Sequence, residues 1–163
     1  MKPVSDPSAD LANLEQLTQE LASFLFDHCG TMAQFYGLES RELEAVYALG
    51  YALYNQGRWS DALQVFGSLV RHDHLDRRYQ IAAANCLKMQ RRFDMALRAY
   101  GVAHLLDVTD PHVVLQMGEC LIALGNKEDA QAMLDGVGQL ASGQPQYAAI
   151  ADRARALCDL LNQ

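Results

Sequence analysis

"AVYALGYALYNQGRWSDALQVF", Ala45–Phe66, is the stretch whose reading decides the fold, because its landmarks return further along the chain. Laid over itself with an offset of 34, the sequence brings Ala62 onto Ala96 and Ala130, and Leu53 onto Leu87 and Leu121. Gly50, Ala84 and Gly118 coincide as small residues. Phe66, Tyr100 and Leu134 coincide as bulky ones, and Trp59 meets Phe93 before Lys127 breaks that series. Helical periodicity runs nearly everywhere and strand alternation is never sustained, so the class is all-α.

A period of 34 with a small residue in one helix, Ala in the next and an aromatic four residues later is the tetratricopeptide pattern. It covers Leu43 to about Gln144. The expected architecture is three repeats in a right-handed superhelix, with an N-terminal helix and a C-terminal capping helix. The boundaries read as 1–42 for an N-terminal tail and helical segment, 43–144 for the repeats and 145–163 for the cap. Each helix pair cannot bury its apolar face alone, so neighbours must stack. Close crossing is expected where Gly50 or Ala62 leaves room, with Leu53 and Phe66 beside it. "NQGRW" and "ALGNK" read as turns inside repeats, and "HDHLD" and "VTDP" as turns between them. Asp110 followed by Pro111 reads as an N-cap with Pro at the first helical position. Tyr147, Ile150, Ala154, Leu157, Leu160 and Leu161 give the last helix an apolar stripe.

The bulk properties exclude several classes. The chain has 163 residues, 50% of them hydrophobic, enough for one continuous core. A net charge of −7 without a basic run argues against nucleic acid. No run of about 18 uncharged apolar residues predicts a membrane span. The N-terminus lacks the apolar core of a signal peptide, so a cytoplasmic location is expected. Cys29, Cys86, Cys120 and Cys158 are widely spaced, without the spacing of a zinc site or disulfide framework. Cys86 and Cys120 share one repeat position with Ala52, which reads as packing. His72 and His74 flank Asp73 in a turn with no third ligand at zinc spacing, so no metal is expected. Asp73, Asp76 and Asp107 read as turn and N-cap residues. No phosphate loop, nucleophile elbow or metalloprotease motif occurs. Neither a cofactor nor a catalytic residue is expected, and the chain is not read as an enzyme.

The functional signal is a tyrosine stripe. Tyr47, Tyr51 and Tyr54 stand at i, i+4 and i+7, on one side of a helix. Val46, Leu49, Gly50 and Leu53 read as the face toward the partner helix, and the tyrosines lie about 100° further round. Their equivalents are Ile81, Asn85 and Lys88 in repeat two, and Leu115, Glu119 and Ile122 in repeat three. That set varies in polarity where a core would stay apolar. It suits a concave groove for an extended peptide, with tyrosines for apolar side chains and Asn85 and Lys88 for polar groups. Arg78 and His112 complete the candidate groove set. The other reading has the stripe covered by the chain's own N-terminal helix.

The assembled string is more specific than the repeat alone. "DHLDRRYQIAAANCLKMQRRFDMALRAYGVAHLLDVTDP" followed by "GECLIALG", with the upstream "FLFDHCGTMAQFYGLESRELEAVYALGYALYNQGRWSDA", resembles the class II chaperones of bacterial type III secretion systems, the LcrH/SycD/IpgC group. The resemblance covers roughly residues 20–135. It implies a cytoplasmic chaperone whose clients are hydrophobic translocator proteins, held through an extended segment in the concave groove. It matches Tyr47, Tyr51 and Tyr54 to the family's groove aromatics. Asn85 departs from the family's usual Ala or Gly, and Cys29 from a common glycine. The resemblance also implies homodimers through the N-terminal helix, which makes Leu14, Leu17, Leu21, Phe24 and Leu25 a candidate dimer surface; packing of that helix on repeat one is the alternative. An adaptor clamping acidic C-termini, or a regulatory scaffold binding another protein, is the alternative function.

Overall fold

The computed structural model describes residues 16–24 and 30–162. Helix α1 covers residues 16–24 as described, and α2 is the short Met32–Phe35. Three helix pairs follow: α3 (Ser40–Asn55) with α4 (Trp59–His72), α5 (Arg77–Met89) with α6 (Phe93–Leu106), and α7 (Pro111–Leu124) with α8 (Lys127–Ala141). A 3₁₀ turn, Pro145–Tyr147, leads into α9 (Ala148–Leu161). No strand occurs among the described residues, and each helix packs on the next from α3 onward.

Local chemistry sets the helix ends. The Asp76 and Asp110 side chains accept from the backbone N–H groups of Arg78 (2.9 Å) and His112 (2.8 Å), capping α5 and α7. Pro111 opens α7, where its missing N–H costs nothing. Asp73 and Asp107 end the preceding helices, and their carboxylates accept from Leu75 and Thr109 N–H to fold the connecting turns. The turns inside the repeats share a left-handed residue at one repeat position: Gly57 (φ 75°), Arg91 (φ 59°) and Gly125 (φ 82°).

Packing follows the period. An ideal Cβ on Gly50 would lie 2.5 Å from the Phe66 ring, and one on Gly118 would lie 3.0 Å from Leu134, so the small residue is what lets each pair close. Ala84 and Tyr100 occupy the same positions in the middle pair and are fully buried. Three apolar clusters result. The first joins α4 to α5 around Phe66, Leu69, Tyr79 and Cys86; the second joins α5, α6 and α7 around Tyr100, Val113 and Cys120. The third joins α7, α8 and α9 around Val114, Leu134, Val137 and Ala154. Each fully buried large side chain is worth roughly 1.5–3 kcal/mol. Cys86 and Cys120 are packing residues in these clusters, and burial pushes both thiols up to about 11.

Polar groups reinforce the seam between the second and third pairs. The Arg77 guanidinium, at the start of α5, donates to Asp107 at 2.6 Å and to Asp110, tying together both ends of the turn before α7.

Two expected packing residues are placed otherwise. Val46 and Leu49 are 38% and 54% exposed, whereas Gly50 and Leu53 face the α4 side as expected. The equivalents of Val46, Gln80 and Val114, are buried, Val114 in the cluster that α7 shares with α8 and α9. Helix α3 opens the stack, and no helix pair precedes it among the described residues.

Candidate peptide-binding groove

The first helices α3, α5 and α7 bring three rows of side chains into register, spaced by the repeat. At the α3 end the floor is aromatic. The Tyr47 ring lies 4.9 Å from Tyr51, 5.8 Å from Phe66 and 5.4 Å from Tyr79, centroid to centroid, and Tyr51 lies 5.4 Å from Phe66. Most of these contacts are edge-to-face, the arrangement the ring quadrupole favours. Tyr47, Tyr51 and Tyr54 are half-buried: one edge rests on the core and the other stays at the surface. The stripe is therefore not a second, separate face. Its described ring partners, apart from one another, are Phe66 of α4 and Tyr79 of α5.

The Tyr47 hydroxyl donates to Tyr51 at 3.4 Å, and burial, then that bond, pushes it well above its usual pKa. The Arg78 guanidinium lies 5.2 Å from the Tyr47 ring centre and 5.6 Å from that of Tyr79, while pairing with Glu44 and Asp76 at 2.6 Å. It is held over the aromatic face by those carboxylates. Burial works to raise the Asp76 carboxyl, but hydrogen bonds from the Arg78 side chain and backbone hold it below its usual value.

Toward the middle, Ile81, Asn85, His112, Val113 and Gln116 line a cleft of ≈ 210 Å³ between α5 and α7, with Tyr100 beneath. Tyr100 is fully buried, and its hydroxyl donates to Asn85 Oδ1 at 2.5 Å. At the far end the Lys88 ammonium donates to Gln116 Oε1 at 2.5 Å and to the Glu119 carboxylate. Arg153 of α9 donates to the other Glu119 oxygen at 2.8 Å. Glu119, only 12% exposed, is thus shared by two cations.

Among the expected groove residues, Tyr47, Tyr51, Tyr54, Ile81, Asn85, Lys88, Glu119 and Ile122 are half-buried, and Arg78 and His112 are exposed on the rim. The His112 ring meets Tyr147 edge-on at 5.8 Å. Leu115 is the exception: at 4% exposure it belongs to the core shared by α7, α8 and α9. Helix α9 roofs that position, and a leucine is too short to reach past it as Tyr47 reaches past α5.

Sequence reasoning missed Tyr79, Tyr100, Gln116 and Arg153. Arg153 was findable, since it stands one period beyond Glu119 and two beyond Asn85, just as Pro145 stands one period beyond Pro111. Helix α9 thus occupies the first-helix position of a further repeat. In the N-terminal segment, Leu14 and Leu25 lie outside the described residues, as does Cys29. Leu17 is exposed and Leu21 partly buried. The Phe24 ring packs against Phe35 at 5.9 Å and over Gly30, so an internal contact occupies it. Among the described residues no group of His, Cys, Asp and Glu could hold a metal ion, and no helix is long and apolar enough to cross a membrane. His72 Nδ1 bonds the Ser68 carbonyl oxygen at 2.8 Å, ending α4.

Comparison with known proteins bears on the fold and the family. The tetratricopeptide-repeat family matches residues 44–73 and 87–160. Low calcium response locus protein H of Yersinia pseudotuberculosis serotype I is 26% identical over 132 residues, covering 81% of this chain and 79% of that protein. Among solved structures, a type III secretion complex from Aeromonas hydrophila superposes with a TM-score of 0.83 at 27% identity, covering 88% of this chain and 95% of the other. PcrH of Pseudomonas aeruginosa, in complex with the chaperone-binding region of PopD, superposes with a TM-score of 0.73 at 32% identity, covering 77% and 95%. With the repeat fold, the register of the groove and these relatives together, the chain belongs to the class II translocator chaperones of type III secretion, a tetratricopeptide-repeat family.

Proposed function

We propose that this protein is a cytoplasmic bacterial chaperone that holds an extended segment of a hydrophobic type III translocator in the groove running from Tyr47 to Glu119, keeping it soluble and secretion-competent by binding alone. The observation that carries the reading is the partly exposed tyrosine stripe. A core stripe would be fully buried; this one packs on Phe66 and Tyr79 among the described residues and keeps part of its surface exposed. PcrH, a relative of the same fold, is seen with the chaperone-binding region of PopD. Leu17, exposed on α1, remains the candidate for a homodimer contact.

The test is co-expression with translocator proteins of the same bacterium, purification, and comparison with Tyr47→Ala/Tyr51→Ala. Aromatic anchors in such sites are worth about 2 kcal/mol or more each, so affinity falls at least about 30-fold for a single anchor. Circular dichroism must show the variant still helical. Full client binding by that folded variant would refute the groove assignment. The adaptor reading is disfavoured, because Lys88 and Arg153 are already committed to Glu119 and are not free to clamp a carboxylate. Pull-downs with and without client separate a regulatory partner from the client itself.

A further inference from the structure

The polar lining of the central cleft is not neutral toward a bound chain. Lys88 carries only donors, so Gln116 must turn Oε1 toward it, and the 2.5 Å contact shows that orientation. The Gln116 amide N–H groups then point away from Lys88 and have no partner among the described residues. Asn85 is set in the same way from the other helix. Its Oδ1 accepts from the hydroxyl of Tyr100, which is fully buried and has that one hydrogen bond. Its N–H groups are likewise unpartnered among the described residues. Two amides from different repeats, α5 and α7, thus line one cleft with their oxygens committed and their donors spare. Apolar Ile81 and Val113 stand beside them, and the acceptor on the rim, Asp110, is taken by Arg77.

An extended peptide brings one main-chain carbonyl per residue, and each one desolvated without a donor is costly. We infer that Asn85 and Gln116 donate to main-chain carbonyls of the bound client on either side of the residue that enters the Ile81–Val113 cleft, and so fix the client's register along the groove. Backbone contacts of this kind supply affinity whatever the side chains, leaving selectivity to the apolar positions. The inference rests on the groove reading above.

The probe is a random 15-residue peptide library displayed on phage, selected on the full-length protein; the tightest peptide is then synthesised with each backbone amide replaced in turn by an ester, which weakens the carbonyl acceptor. One or two ester positions should lower affinity about 3–10-fold on the wild type. Asn85→Asp should abolish the effect of one ester and Gln116→Glu that of the other, since each keeps the oxygen facing Tyr100 or Lys88 but removes one of the two donors. A flat ester scan, or one equally sensitive in wild type and variants, overturns the inference while leaving the groove intact, provided Tyr47→Ala/Tyr51→Ala still weakens the peptide. Failure to select any peptide, or selection of peptides indifferent to the tyrosine changes, overturns the groove reading and this inference with it.

Discussion

Gly50→Ala isolates how tightly the aromatic end of the groove is built. An added Cβ would lie 2.5 Å from Phe66 Cε1 and 2.7 Å from Cζ, roughly 1 Å inside normal carbon–carbon contact. Phe66 is fully buried, with the Tyr47 and Tyr51 rings 5.8 and 5.4 Å away, so it cannot retreat without moving the stripe. Overpacking of this sort costs about 1–3 kcal/mol. The substitution also gains about 1 kcal/mol of helix propensity, which obscures the penalty if it is measured alone. Gly101→Ala supplies the control. It lies inside α6 with nothing within 4 Å of its ideal Cβ, so it reports the propensity gain by itself. The difference between the two variants is then the overpacking term, about 1–3 kcal/mol. At about 2–4 °C per kcal/mol for a chain of this size, Gly101→Ala should melt above the wild type and Gly50→Ala several degrees below Gly101→Ala. Thermal and urea denaturation followed by circular dichroism measure both. Equal shifts, or Gly50→Ala melting as high as Gly101→Ala, would show that Phe66 has room to move and that the stripe is not rigidly supported.

Other expectations follow from particular contacts. Arg91, left-handed at φ 59° where Gly57 and Gly125 stand in the neighbouring repeats, should gain up to about 1 kcal/mol on Arg91→Gly, the relieved strain exceeding the entropy cost; a lowered urea midpoint contradicts this. Arg77→Ala removes a partly exposed clamp on Asp107 and Asp110 and should cost about 1–2 kcal/mol, with faster amide exchange at the α5 and α7 N-termini; unchanged protection there refutes the clamp. Burial raises the folded-state values of Cys86 and Cys120 to about 11, above the unfolded value of about 8.5, so the folded chain keeps protons that the unfolded chain releases. Their contribution is complete below the unfolded value and is lost as pH climbs to about 11; the wild type should therefore lose stability over that window relative to Cys86→Ala/Cys120→Ala, and parallel pH profiles would exclude the effect.

The period made the interior legible because each repeat reuses one solution. Gly50 with Phe66 and Gly118 with Leu134 were readable as close-crossing pairs, and Cys86 and Cys120 as packing residues, since their positions recur. What the period hid were departures from equivalence. Val46 and Leu49 read as packing because their later equivalents pack; among the described residues no preceding pair stands over them in the first repeat. Leu115 read as groove because it is the repeat equivalent of Tyr47; a shorter side chain under α9 is core instead. Arg77 with Asp107 and Asp110, and Tyr100 with Asn85, were invisible for a different reason. Both join residues on different helices or turns, and side-chain type alone does not say which partner wins.

The polar half of the proposed groove explains how a chaperone can offer an apolar surface without offering it to everything. Lys88, Glu119 and Arg153 neutralise one another to a residual single positive charge, and Arg78 with Glu44 and Asp76 leaves a single negative one. These charges are already paired, and Glu119 is only 12% exposed, so a client gains little by breaking into them. Side-chain affinity must then come mainly from the aromatic end, where burying apolar area yields about 25 cal/mol per Å². A short apolar stretch could satisfy Tyr47, Tyr51 and Tyr54 alone. Only a longer extended chain reaches Asn85 and Gln116 as well, so on the proposed reading backbone extension adds affinity there while the apolar positions keep the selectivity.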